Sequence, residues 1–215
     1  PASAAQTTYR NPLPVVTPAG ERVETFADPS IVQAPDGTYY TYATSDPLEE
    51  GAGEPFGNMH VARSRDLVHW SYVGEVFGAG APRPTWADPT TNFWAPDIRY
   101  VDGEYRLYYV VTETSTNPER NDNAIGVAYS DSPTGPWTDS GDPVVDPRPG
   151  QSGNADDFLW TFDPHHVVGP DGQEYLFYGS YYGGIFVTEL TADGLRASGT
   201  STMVAIDNKY EGSFV

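Results

Sequence analysis

The sequence contains no cysteine. Disulfides, thiol catalysis and thiolate metal sites are therefore excluded, although the absence does not fix a compartment. Basic residues are scarce: 11 Lys and Arg stand against 30 Asp and Glu, for a formal net charge of −19. A surface of that sign repels nucleic acid and anionic membranes, so neither is expected as a partner. It is no obstacle to a neutral ligand such as a sugar. No apolar run approaches the roughly 20 residues that span a bilayer. Helical periodicity is nearly absent too, which turns attention to strands.

What is present fits a β-rich domain. The 215 residues are 38% hydrophobic and 13% aromatic, with 15 Tyr and 5 Trp, enough for a core whose aromatics also need polar partners. The 22 Gly and 20 Pro are scattered among β-forming runs and read as many turns rather than disorder. The opening stretch "PASAAQTTYRNPLP" is small and polar. It reads as the mature end left after signal-peptide removal, hence a secreted protein. Residues 1–24 are taken as an N-terminal extension and 25–215 as the N-terminal part of a single domain.

The chain repeats itself. "GTYYTYAT", "GEYRLYYVV" and "QEYLFYGSYY" follow the pairs Asp36-Gly37, Asp102-Gly103 and Asp171-Gly172. Asp-Gly supplies the positive φ values of a tight hairpin. A second motif keeps the same beat, placing Val61, Val127 and Val187 alike, with Ser64 matching Ser130 and Trp70 matching Trp137. Strand, Asp-Gly turn, strand, long loop, strand, polar turn, strand is the plan of a four-stranded propeller blade. The extra length falls in loops at 45–57, 78–92, 113–122 and 146–160, where binding surfaces are built. A two-sheet sandwich is the alternative, but it requires no repeated four-strand unit.

In a propeller the first strand of each blade lines the central channel. Here those segments are "FADPSIV", "FWAPDIRY", "FDPHHVV" and "YEGSFV", each with a carboxylate: Asp28, Asp97, Asp163 and Glu211. A single Asp there is ordinarily a turn cap. Four together raise one another's pKa and cost stability, so a tolerated cluster points to function. Phe26, Phe93, Trp94, Trp160 and Phe162 flank the acids. Trp94 and Trp160, beside polar and proline-rich loops, are the best candidates to stack on a ligand, with Phe26 as a further substrate contact. His165 and His166 follow Asp163 directly, but neighbours on a strand point to opposite faces, so at most one reaches the channel.

Taken in order, "ADPSIV", "FWAPDIRY", "SDSPTGPW", "FDPHHVV" and "YEGSFV" resemble glycoside hydrolase family 43 from about Thr25 to the end. The resemblance implies an all-β, five-bladed β-propeller acting mainly on arabinofuranosyl and xylosyl linkages. This chain would supply about three blades and the first strand of a fourth. The resemblance, and not the spacing, selects three of the four acids as catalytic. Asp28 matches the general base, Asp163 the residue that tunes and orients the acid, and Glu211 the general acid. Asp97 matches a residue that holds the site together or touches substrate. The family's Glu is often followed by Gly-Pro; here Gly212 is followed by Ser213.

The implied reaction is inverting hydrolysis of α-L-arabinofuranosyl linkages in arabinan or arabinoxylan. β-Xylosidase action and a non-catalytic carbohydrate-binding propeller are the alternatives, and a protein-interaction propeller would not need converging acids. One carboxylic acid protonates the departing oxygen and one carboxylate activates water, the pair standing about 6.5–9.5 Å apart. The role asks Glu211 to hold a proton near neutrality, which the charge of Asp163 would favour. No cofactor is required, and the resemblance allows a structural calcium on the propeller axis. Three units and one strand do not close a five-bladed ring, and open edges aggregate. A complementary C-terminal chain is therefore expected to complete it.

Overall fold

The computed structural model describes residues 9–51, 53–78, 81–116, 122–150, 158–179, 183–205 and 210–215. Parts of the predicted loops at 45–57, 78–92, 113–122 and 146–160, and the start of the N-terminal stretch, lie outside these residues. The described residues form strands and no helix. Three antiparallel four-stranded meanders carry the sequence repeat. The first runs through β3 (Ser30–Gln33), β4 (Tyr39–Ala43), β5 (His60–Ser64) and β6 (Trp70–Glu75). Two short strands, β1 (Val15–Val16) and β2 (Arg22–Val23), enlarge it to six, because β1 lies parallel on β6 with Val15 opposite Trp70. The supposed extension thus contributes to the sheet.

The second meander is β7 (Phe93–Val101), β8 (Glu104–Val111), β9 (Ala124–Ser130) and β10 (Thr138–Asp139). A small hairpin of β11 (Arg148–Pro149) and β12 (Phe158–Leu159) leads to the third. That sheet is β13 (His165–Val168), β14 (Glu174–Tyr178), β15 (Ile185–Glu189) and β16 (Thr202–Ala205). Val61, Val127 and Val187 fall on the third strand of their sheets, as the repeat predicts. Tyr210–Val215, read as the opening strand of a fourth unit, forms no ladder with any described strand. The three sheets do not close into a ring among the described residues.

The three turns solve one problem in two ways. At Asp102-Gly103 both residues have positive φ, 51° and 92°, the two-residue hairpin expected of Asp-Gly. At the other two only the glycine does, Gly37 at 86° and Gly172 at 83°. There Pro35 and Pro170 fix φ near −65° one residue earlier, so the chain makes a longer turn closed by a left-handed glycine. Asp36 is left to accept the Thr38 N–H at 2.9 Å.

Strand β8 shows how two cores arise from one strand. Its side chains alternate with period 2. Tyr105, Leu107, Tyr109 and Val111 join Tyr42, Met59, Phe77, Phe93 and Ile98 between the first two sheets. Tyr108 and Val110 join Ile125, Val127, Leu176 and Tyr178 between the second and third. Each fully buried Leu, Ile or Phe contributes about 1.5–3 kcal/mol. Packing through β8 brings the first strands together: β7 touches β3 on one side and β13 on the other. Residues at the start of those strands must therefore meet.

Candidate active site

The first strands open on the same backbone device. Asp28, Ala95, Asp163 and Gly212 all take left-handed φ, at 51°, 43°, 53° and 61°. The first three precede a proline, where non-glycine residues rarely adopt positive φ. Such conformations cost about 1–3 kcal/mol each and collect where a structure holds a side chain in a particular place. This alignment shows that the four acids, though each lies in a first-strand segment, do not occupy equivalent places. Asp28 and Asp163 are equivalent, whereas Asp97 lies two residues past its turn and Glu211 one residue before it.

The openings surround a cavity of about 470 Å³. Asp28, Asp97, Asp163, Arg99, His165 and Phe214 are among its lining residues. Asp28 accepts a 2.6 Å hydrogen bond from the Thr44 hydroxyl, whose oxygen in turn accepts the Ala95 N–H at 3.0 Å. Asp163 accepts the Gly212 N–H at 2.9 Å. That bond seats the residues next to Glu211 against the third sheet, and Phe214 adds a ring contact to His165 at 4.7 Å. Burial pushes the Asp163 carboxyl up to about 6 against the pull of the Gly212 N–H, and the charges of Asp28 and Glu211 push the same way. Asp163 thus feels two carboxylates from distant stretches of chain: Asp28 on the same cavity, and Glu211, which is exposed and is not among the lining residues.

Asp97 is a clamp. It is 4% exposed. One oxygen meets Arg99 Nη2 at 2.9 Å and the Ser30 hydroxyl at 3.4 Å; the other accepts the His166 N–H at 2.7 Å. One side chain therefore joins β3, β7 and β13. Burial raises its carboxyl to about 6, opposed first by Arg99. Arg99 also donates to His165 Nδ1 at 3.0 Å, and His165 titrates below its ordinary range through burial and then that charge. His166 points the other way, as period 2 requires. Its Nε2 meets Glu174 at 2.7 Å and its ring stacks on Tyr108 at 5.3 Å.

The aromatics form a file rather than a wall of this cavity. Trp94 packs edge-on against Phe162 at 5.6 Å, and Phe162 against Trp160 at 5.3 Å. All three are half-buried, as is Phe26. Neither Phe26, Trp94 nor Trp160 is among the residues lining the 470 Å³ cavity. The Trp94 Nε1–H is buried and meets no acceptor among the described residues. Among those residues, no group of three or more His, Asp or Glu is arranged to hold a metal ion.

The family model for glycosyl hydrolases family 43 matches residues 23–215. The chain belongs to that family. The relatives it matches include a probable arabinan endo-1,5-α-L-arabinosidase C of Aspergillus clavatus, 34% identical over 178 residues, 81% of this chain and 48% of that protein. The extracellular endo-α-(1→5)-L-arabinanase 1 of Bacillus subtilis is 31% identical over 191 residues, 86% of this chain and 53% of the relative. Among solved structures, the α-L-arabinanase of Cellvibrio cellulosa complexed with arabinohexaose superposes with a TM-score of 0.62 at 26% identity, over 82% of this chain and 51% of that one. This family 43 chain spans about half the length of the curated relatives it matches. The matches lend no support to a separate complementary chain.

Two residues of the site were not foreseen. Arg99 had a signal: in "APDIRY" it stands two positions after Asp97, hence on the same face of β7. Thr44 had none, because its partners Asp28 and Ala95 are 16 and 51 residues away.

Proposed function

We propose that this family 43 chain carries the catalytic acids of an inverting glycoside hydrolase that cleaves α-L-arabinofuranosyl linkages of arabinan. Its sheets are read as three blades of a five-bladed propeller, with Tyr210–Val215 opening a fourth. The observation that carries the reading is that Asp28 and Asp163 line one cavity while the Gly212 N–H, one residue past Glu211, is held on Asp163. Burial and the charges of Asp28 and Glu211 raise the Asp163 carboxyl to about 6.

In the proposed step Glu211 gives its proton to the leaving oxygen while Asp28 takes one from a water. The water's oxygen attacks the anomeric carbon from the opposite face, the glycosidic bond breaks, and the configuration inverts. Asp163 holds the Glu211 segment through the Gly212 N–H and contributes the neighbouring charge. Asp97 keeps the three first strands in place. Trp94, Trp160 and Phe26, half-buried outside the lining of that cavity, are proposed to offer ring faces to sugar units beyond it. The step uses the chain's own carboxylates and water; the structural calcium that the resemblance allows takes no part in it. Secretion fits a polymeric substrate and the extracellular naming of the Bacillus relative.

The test is hydrolysis of linear arabinan by the full-length protein carrying Asp28→Asn or Glu211→Gln. Each is expected to lose about 10²–10⁴-fold in kcat, the worth of a general base or acid, while remaining folded. Parent-level hydrolysis by either variant would overturn the assignment. Cleavage of nitrophenyl xyloside but not of nitrophenyl arabinofuranoside or arabinan would move the substrate to xylan. Silence of the parent on all three would favour a carbohydrate-binding propeller.

A further inference from the structure

At two of the opening turns the left-handed residue does more than shape its own strand. Its N–H is turned toward the aspartate that opens the preceding sheet. Gly212 N–H reaches Asp163 directly, at 2.9 Å. Ala95 N–H has the equivalent place in the second sheet but does not reach Asp28. It stops at the Thr44 oxygen, at 3.0 Å, and Thr44 spans the remaining 2.6 Å to Asp28 Oδ2. Thr44 is 4% exposed, and its backbone is fixed by its N–H on the Ala27 carbonyl at 3.1 Å. The neighbouring Ser45 repeats the link between sheets, its N–H on the Phe93 carbonyl at 2.9 Å and its hydroxyl accepting the Phe93 N–H at 3.0 Å.

A hydroxyl has one proton to give. Because the Ala95 N–H occupies the Thr44 oxygen as a donor, the hydroxyl proton has Asp28 as its acceptor. The direction of the chain of bonds is thereby fixed: Ala95 N–H to Thr44, Thr44 O–H to Asp28 Oδ2. A charge-assisted bond of this kind holds a carboxylate more firmly than a neutral one. It also leaves the two oxygens of Asp28 unlike each other, Oδ2 tied by Thr44 and Oδ1 with no hydrogen-bond partner among the described residues.

We propose that Thr44 is a positioning residue for the reaction, tying Asp28 Oδ2 so that Oδ1 is the oxygen that takes the proton from water. The inference rests on Asp28 being the general base. It adds that the base is aimed from the second sheet through a side chain that touches no substrate.

The experiment compares Thr44→Ser, Thr44→Val and Thr44→Ala with the parent and with Asp28→Asn, on linear arabinan, as pH profiles of kcat and kcat/KM in the full-length protein. Valine keeps the volume and removes the donor. Alanine opens room for water at the Ala95 N–H, and serves if the valine variant is unstable. Loss of a hydrogen bond to a charged group is expected to lower kcat about 10–100-fold, with KM changed less than about 3-fold. The acidic limb should move to higher pH, because the charged form has lost its donor. Asp163, whose carboxyl feels the charges of Asp28 and Glu211, and Glu211 itself are unchanged in every Thr44 variant and leave that shift to Thr44. Serine should restore kcat to within about 3-fold and return the limb to its place. Thr44→Val combined with Asp28→Asn should be no slower than Asp28→Asn alone. If Asp28→Asn is inactive while the valine and alanine variants match serine with an unmoved limb, Thr44 positions nothing. Parent-level activity of Asp28→Asn would instead remove the general base itself.

Discussion

Replacing Asp163 with asparagine isolates the charge the site has to tolerate. The substitution preserves the shape: the amide oxygen still accepts the Gly212 N–H, and asparagine accepts the left-handed φ of 53°. What it removes is the ability to ionise. The folded protein holds the Asp163 proton up to about pH 6, against 3.8 for an unburied carboxyl. A raised carboxyl binds its proton more tightly folded than unfolded, so its contribution to stability falls as pH rises from about 4 to about 6 and is level above that. At 1.36 kcal/mol per pKa unit, the full difference is about 3 kcal/mol. Asparagine bears none of that loss. Its unfolding free energy relative to the parent should therefore grow by up to about 3 kcal/mol between pH 4 and pH 7. Asp97, raised in the same direction, is present in both proteins and cancels. Salt should shrink the part due to Asp28 and Glu211 and spare the part due to burial. Urea unfolding followed by tryptophan fluorescence at the two pH values reads the effect. A difference that does not change with pH would refute the placement of Asp163 in a buried, acid-crowded site.

Other substitutions test the scaffold beneath the acids. Gly126→Ala would put a Cβ 2.6 Å from both the Trp86 and Tyr109 rings. Thermal unfolding should show a loss of about 1–3 kcal/mol, the ordinary cost of overpacking, whereas an unchanged Tm would mean the rings are not held there. Arg106→Leu should cost about 3–5 kcal/mol in denaturant unfolding, because it leaves Glu174 buried with His166 as its remaining charged-group contact. Adding Glu174→Leu should return part of that loss; a cost below about 1 kcal/mol for Arg106→Leu alone would show that the pair is solvated.

How much of this was legible in the sequence depended on how local the cause was. The meander repeat was legible because Asp-Gly turns and period-2 alternation act within a few residues. So was the opposite facing of His165 and His166. The register of the acids was not, because spacing counts residues while the backbone aligns left-handed turns. Ala95, with no carboxylate, therefore holds the place in the second sheet that Asp28 and Asp163 hold in the first and third. The docking of Val15 on Trp70 and the Thr44 bridge were also hidden. Both depend on partners brought close by folding, and neither leaves a mark on the residues beside them. The choice of Asp28, Asp163 and Glu211 over Asp97 came from family resemblance, since all four are acids at the start of first strands.

The central claim is most directly tested by a crystal structure of the full-length protein with an arabino-oligosaccharide bound across the cluster. The account predicts the Asp28 and Glu211 carboxyl groups on opposite sides of the scissile linkage, about 6.5–9.5 Å apart with room for one water. A sugar bound elsewhere, or a separation near the 5–5.5 Å of a retaining pair, would contradict it.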